Sequence, residues 1–242
     1  MQARRDTAVH PHELAWTPER VQSFWDYYSA NEALADTYFG RQVGRSLLGY
    51  IKRKIRIGSA VDIGCGAGDL IGYLLARGID AYGADQSPAS VERVNSRFEG
   101  SKHFKGAVVG TRALPDEAAD TAFILEVIEH VDDPALESIL SEAHRVLKPG
   151  GHVVLTTPNE ENLAANKMFC PGCGAVFHRV QHVRSWSADS LSAAVKRYGF
   201  ETVSAEGTVL SPFTGWRNLL WRTAYPIVMK RRPNLIYIGR KA

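Results

Sequence analysis

Cysteine is scarce in this chain of 242 residues: there are three, Cys65, Cys170 and Cys173. Cys65 lies in a glycine-rich segment, so no disulfide framework is indicated and the cytoplasm is the expected compartment. No apolar run approaches the about 20 residues needed to cross a bilayer, and the stretch from Met1 to His12 is too polar for a signal peptide. Charge of one sign is lacking as well. The 29 Lys and Arg residues nearly balance 26 Asp and Glu, and the resulting +3 names no polyanionic partner. No internal repeat or low-complexity tract organises the chain. What remains is an ordinary globular composition, 45% hydrophobic, in a length that suits one domain with a sizeable core.

Glycine is where the sequence becomes specific. Val61-Asp62-Ile63 is a short apolar run. Gly64-Cys65-Gly66-Ala67-Gly68 follows, and then a helical pattern of Leu70, Ile71, Leu74 and Leu75. The order reads as strand, tight turn, helix. Glycine is needed where the backbone turns to positive φ or must lie against a ligand with no side chain between. A helix N-terminus also presents free N–H groups and the positive end of a dipole. A second apolar run, Ile79 to Asp85, sets Asp85 about twenty residues after the glycines, where a carboxylate can accept from ribose hydroxyls. The pattern points to a nucleoside-containing cofactor.

The glycine spacing is G-x-G-x-G, not the dinucleotide G-x-G-x-x-G, and with Asp62 in the strand it resembles motif I of the class I S-adenosylmethionine-dependent methyltransferases. Leu114-Pro115 and the run Ala119 to Val131 resemble that superfamily's fourth-strand motif. Leu147-Lys148-Pro149-Gly150-Gly151 to Thr156 resembles its fifth-strand motif. His182 to Ser187 and Tyr198-Gly199-Phe200 are similar to a late segment common in it. The matches run in family order from about Arg56 to Val203. The resemblance implies a Rossmann-like α/β fold: seven strands, mostly parallel with the last antiparallel, and helices on both faces.

The expected organisation is a single domain. Residues 1–55 form an N-terminal helical cap, 56–165 the cofactor-binding core, 166–186 a Cys/His insertion, and 187–242 a last helix and strands. In the cap, Thr17 can close a helix that opens on Pro18 and carries Val21, Phe24, Trp25 and Tyr28 on one stripe; Leu47, Leu48, Ile51 and Ile55 suggest a second. Further helices start at Ser87-Pro88, Asp133-Pro134 and Ser187, and strand signals fall at Glu201–Ser204 and Leu235–Gly239.

Binding roles follow from the resemblance. Gly64, Gly66 and Gly68, with Cys65 between them, would pass the methionine portion. Asp62 would orient the turn and reach the cofactor's amino group through water, while Asp85, with Gln86 beside it, would hold the ribose. Many relatives carry an acid shortly before the Leu-Pro pair to meet the adenine amino group. Here that stretch is Val109-Gly110-Thr111-Arg112-Ala113, so adenine recognition falls to backbone groups or Thr111.

The chemistry implied is displacement at a methyl carbon on a sulfonium. It needs a nucleophile held in line and, for a hydroxyl acceptor, a base or a metal. Glu126, Glu129 and His130 are the candidates. On a helical turn, positions i, i+3 and i+4 share a face. Two carboxylates and an imidazole there make a credible Mg²⁺, Mn²⁺ or Fe²⁺ site, with Glu126 also close to the cofactor. The E-x-x-E-H string resembles small-RNA terminal 2′-O-methyltransferases and ubiquinone-pathway O-methyltransferases. In the RNA enzymes a further histidine precedes a Trp-Thr helix start, much as His182 precedes Trp186-Ser187. The blander reading is a loop histidine beside helix-start acids.

Two other features compete for attention. Cys170-Pro171-Gly172-Cys173, then His178 and His182, has ligand types and spacing that suit a tetrahedral zinc ion, against a reduced Cys-Pro-Gly-Cys turn without metal. His182 cannot readily serve this zinc and the other ion at once. Residues 215–232 mix aromatic and aliphatic side chains with arginines. They read either as an interfacial helix for an anionic membrane or a lipid-linked substrate, or as a core-packed helix with a solvated basic end.

The function expected is methyl transfer from S-adenosylmethionine, on oxygen of a small-molecule acceptor. A nicotinamide-dependent oxidoreductase is the alternative, disfavoured by the glycine spacing. A non-catalytic cofactor- or RNA-binding module is disfavoured by the lack of a basic tract or an aromatic RNA-binding motif. Within the methyltransferases, an RNA ribose or a lipid-linked acceptor stays open.

Overall fold

The computed structural model describes residues 9–213, 215–229 and 232–242. The first eight residues of the polar start and two of the basic residues closing 215–232 lie outside them. The chain opens with a two-residue strand β1 (His12–Glu13) and helix α1 (Pro18–Ala30), capped by the Thr17 hydroxyl. Helix α2 (Phe39–Ile51) stops before Ile55, which is buried from the turn that follows.

The alternating core comes next: β2 (Ala60–Ile63), α3 (Asp69–Leu75), β3 (Ala81–Asp85), α4 (Pro88–Arg97), β4 (Phe104–Val109), β5 (Ala119–Leu125), α5 (Asp133–Val146) and β6 (Leu147–Pro158). Asp132, not Asp133, caps α5, accepting from the Ala135 N–H at 3.0 Å. A hairpin of β7 (Lys167–Phe169) and β8 (Ala175–His178) leads to α6 (Ala188–Lys196), β9 (Phe200–Thr208), α7 (Gly215–Met229) and β10 (Asn234–Lys241).

Seven strands make one sheet in the order β4-β3-β2-β5-β6-β10-β9, and β10 runs antiparallel to both neighbours. Alternate residues serve its two faces. Val61, Ile63, Ala122, Ile124 and Leu155 pack under α5 and α6 through Leu136, Leu140, Leu191 and Val195. Ala60, Phe123, Val154 and Ile236 pack against α2 and α3 through Leu47, Leu48, Ile51, Leu70 and Ile71. Burial on both faces explains why the central strands read as continuous apolar runs.

Register decides where the site lies. Ile63 pairs with Ala84 and Ile124, and Leu125 pairs with Thr156. The segments that leave β2, β3, β5 and β6 therefore all emerge at one edge of the sheet. A separate three-stranded sheet, β1-β8-β7, ties the chain's start to the insertion by a parallel β1–β8 pairing.

Candidate active site

The turn after β2 takes the conformation its glycines permit: Gly64, Gly66 and Gly68 have φ of 81°, 50° and 76°. Their surroundings differ. A Cβ on Gly64 would lie 2.7 Å from Val127, and one on Gly68 2.9 Å from Phe98, so these two serve packing. A Cβ on Gly66 would meet nothing within 4 Å. It faces a cavity of about 600 Å³, within the usual range for small-molecule sites, lined by Asp62, Gly64, Cys65, Gly66, Asp85, Gln86, Thr111, Glu126, His130 and His182. Gly68, expected at the cofactor, stands behind the turn and is not part of this wall.

Asp85 organises the turn. Its carboxylate accepts from the N–H groups of Gly66 and Ser87, both at 2.9 Å, and retains lone pairs toward the cavity. Asp62 is buried beneath it, and burial, with Asp85 nearby, pushes its carboxyl up to about 8. Burial also pushes the Cys65 thiol upward, so it offers bulk and not a thiolate. Arg145 braces the adjoining turn by donating to the carbonyls of Thr111 and Leu114.

The segment after β5 departs from expectation. Glu126 to His130 is a bend and a turn, not a helix, and Glu126 has φ of 51°, a conformation non-glycine residues rarely hold. Glu126 therefore does not share a helical face with Glu129 and His130. The set whose ligand atoms lie within 4.8 Å of one another is Glu129, His130 and His182. Glu129 is buried behind the cavity wall, and among the described residues neither of its carboxylate oxygens has a hydrogen-bond partner. Burial, with Glu126 alongside, pushes Glu129 well above the usual carboxylate range; burial takes Glu126 to about 7. Burial and the neighbouring His182 hold His130 down to about 3. Two desolvated carboxyls beside the neutral His130 imidazole are short of positive charge, and orphaned carboxylate oxygens fit a divalent cation.

His182 faces His130 edge-on, with ring centroids 4.7 Å apart, and stacks on His178 at 4.5 Å. Its Nδ1 pairs with Glu161. Glu161, His178 and His182 form a second close set. The cysteines join neither. Cys170 and Cys173 sit at the turn of the β7–β8 hairpin, whereas His178 ends β8, and a strand rises about 3.3 Å per residue. The expected Cys170, Cys173, His178 and His182 zinc set is thus not assembled: hairpin pairing holds thiols and imidazoles at opposite ends of one strand.

Three contributors escape a reading of the sequence. Glu161 follows β6, and its only signal is its position past the carboxyl end of a central strand. Gln181, at φ of 61°, accepts from the Trp25 indole at 3.0 Å and donates to the His130 carbonyl at 2.9 Å. Trp25 lies edge-on to His130 at 4.8 Å, so α1 closes one side of the site.

Residues 35–205 match the family described as a methyltransferase domain. The chain is 30% identical over 166 residues to the ubiquinone biosynthesis O-methyltransferase of Acinetobacter baylyi, covering 62% of this chain and 63% of that protein. It is 33% identical over 157 residues to the enzyme of that name from Alkalilimnicola ehrlichii, covering 62% and 61%. The matched regions thus span under two thirds of these relatives' lengths. In fold, it is similar to the Burkholderia thailandensis 1,6-didemethyltoxoflavin-N1-methyltransferase structure with bound S-adenosylhomocysteine (TM-score 0.64, 15% identity, 100% of this chain and 97% of that one). It is also similar to an S-adenosylmethionine-dependent methyltransferase from Mesorhizobium loti (TM-score 0.59, 18% identity, 81% and 97%).

Proposed function

Since this chain belongs to the S-adenosylmethionine-dependent methyltransferases, we propose that it methylates an oxygen of a small-molecule acceptor seated between the glycine turn and the Glu129, His130 and His182 cluster. The observation that carries this reading is the buried Glu129 carboxylate, unpartnered at both oxygens, with two imidazoles beside it at the margin of the cofactor cavity.

The cofactor, when bound, supplies a methyl carbon already activated on sulfur. The chain's own residues do the rest. Gly66 lets the backbone approach the methionine portion, Asp85 accepts from the ribose, and Asp62 meets the amino group through water. Gln86 and Thr111 complete the wall where the nucleoside lies. Trp25 and the aromatic face of α1 keep water from the acceptor. Glu129, His130 and His182 would hold a divalent ion, with Glu126 next to them. One carboxylate and two imidazoles suit Mn²⁺ or Fe²⁺ better than Mg²⁺, and such an ion, when bound, lowers the pKa of an acceptor hydroxyl. An acceptor with neighbouring oxygens, such as a catechol, fits this arrangement, and the relatives named as ubiquinone biosynthesis O-methyltransferases support it.

The test is transfer of labelled methyl groups to a panel of catechols, monophenols and 3′-terminal RNA. Catechol should be methylated in Mn²⁺ and lose turnover in EDTA. Glu129→Gln should cut turnover at least tenfold with the affinity for S-adenosylhomocysteine unchanged. Activity that survives EDTA would remove the ion, and activity confined to RNA would remove the small molecule. A lipid-linked acceptor has its own support in the exposed Leu219, Leu220 and Ile227 of α7. Sedimentation with anionic vesicles, lost in Leu219→Ser/Ile227→Ser, tests it.

A further inference from the structure

Glu161 lies among an amide and two imidazoles. Its Oε1 accepts from the Asn166 side-chain amide at 2.8 Å and lies 3.3 Å from His178 Nε2; its Oε2 meets His182 Nδ1. The protonation of His178 is fixed independently of Glu161. Its Nδ1 faces two backbone N–H groups, those of His182 at 3.1 Å and Val180 at 3.4 Å, and can only accept. His178 is buried, and an imidazole whose Nδ1 accepts carries its proton on Nε2, the nitrogen 3.3 Å from Glu161 Oε1.

We propose that Glu161 is a positioning residue that, anchored by Asn166, holds His182 as the Nδ1–H tautomer and so leaves the Nε2 lone pair free for the active site. A carboxylate accepts at both oxygens, so with the Asn166 amide on Oε1 the other oxygen is left to accept from His182 Nδ1. His182 Nε2 has no hydrogen-bond partner among the described residues, and the ring forms part of the cavity wall beside His130. A carboxylate behind an imidazole fixes its ring orientation and raises its basicity, whether the free nitrogen meets an ion or a proton. The role of that nitrogen rests on the reading of the site above; the tautomer does not.

The test is direct observation of the imidazole nitrogens in ¹⁵N-histidine-labelled protein saturated with S-adenosylhomocysteine, at mildly alkaline pH. Two-bond ¹⁵N–¹H correlations should give His182 protonated at Nδ1 and His178 protonated at Nε2. In Glu161→Gln the amide oxygen stays with Asn166, its NH₂ turns to His182 Nδ1, and His182 must move its proton to Nε2. Affinity for S-adenosylhomocysteine should stay within about twofold. An Nε2–H tautomer of His182 in the unaltered protein overturns the proposal, and so does an unchanged His182 tautomer in Glu161→Gln. If that variant does not fold, the measurement on the unaltered protein decides alone. Titration with Mn²⁺ separates the two readings. A loss of about 10- to 100-fold in Mn²⁺ affinity in Glu161→Gln supports both. Failure of Mn²⁺ to bind the unaltered protein overturns the ion, while the tautomer still decides the role of Glu161.

Discussion

Among the three glycines after β2, Gly66 alone looks onto open space, and this difference separates folding from binding at single-residue resolution. Gly64→Ala brings a methyl group within 2.7 Å of Val127 at positive φ, so it should lower the melting temperature. Gly66→Ala meets no protein atom and incurs only the left-handed backbone penalty, about 1–2 kcal/mol. It should remain folded yet lose S-adenosylhomocysteine affinity by an order of magnitude or more, as read by calorimetry. Equal binding by Gly66→Ala and the unaltered protein would mean that the cofactor does not approach this backbone. Asp62 carries a second prediction. It keeps its proton to about pH 8 when folded, whereas an unfolded aspartate loses it near about 3.9. Between these values the native state binds more protons, so stability falls as pH rises and levels off above about 8. His130 acts oppositely: its folded value of about 3 adds stability as pH rises from there toward its unfolded value, about 6.5. Above that value the buried carboxyls act alone. The melting temperature should therefore drop between pH 6.5 and 8, at up to about 1.4 kcal/mol per pH unit for each carboxyl. Asp62→Asn should flatten that drop, and a slope identical in both proteins would show that Asp62 is ionised throughout.

At the scale of elements, the insertion is what pairs with the chain's start, through β1 and β8. Gly174 has φ of 84°, and a Cβ there would lie 2.2 Å from the His10 carbonyl oxygen, inside the contact that brings β1 alongside β8. Gly174→Val should therefore release residues 9–14 from β8, leaving the seven-stranded sheet intact. Hydrogen exchange should rise at His12 and Leu14, whose N–H groups donate to Gly174 and Val176, and stay protected in β2 and β5. Unchanged protection at Leu14 would show that the parallel pairing tolerates the side chain. The same elements mark how far sequence reasoning reached. The alternating core was legible because each central strand is a buried apolar run closed by glycine, proline or an acid. The β1-β8-β7 sheet was not, because strands such as Lys167-Met168-Phe169 are exposed, three residues long and without alternation. Glu126, Glu129, His130 and His182 were legible from local strings, although the helix invoked to align them is a turn. Glu161, Gln181 and Trp25 were not, since only folding brings β6, the insertion and α1 to one place.

For the whole molecule, the sheet edge joins two half-sites on one cavity: a rigid glycine turn with Asp85, and a buried carboxyl–imidazole cluster held by segments distant in sequence. The proposed cofactor half is built from β2, β3 and the core helices; the proposed acceptor half needs α1 and the insertion as well. Occupying the first should stabilise the molecule whatever the acceptor. A ligand that binds only the folded state adds about 2.7 kcal/mol at a hundredfold excess over its Kd. In a domain near this size, each kcal/mol moves the melting temperature by about 2–4 °C. S-adenosylhomocysteine at that excess should then raise it by about 5–10 °C, and NADH at the same concentration should not, because the turn spacing and the short approach at Gly66 suit a single nucleoside. Asp85→Ala should abolish most of the shift, since it removes the proposed ribose acceptor and the bonds that hold Gly66 and Ser87 in place. A comparable shift with NADH would reassign the cavity to a nicotinamide cofactor. A full S-adenosylhomocysteine shift in Asp85→Ala would move the binding site away from this edge of the sheet.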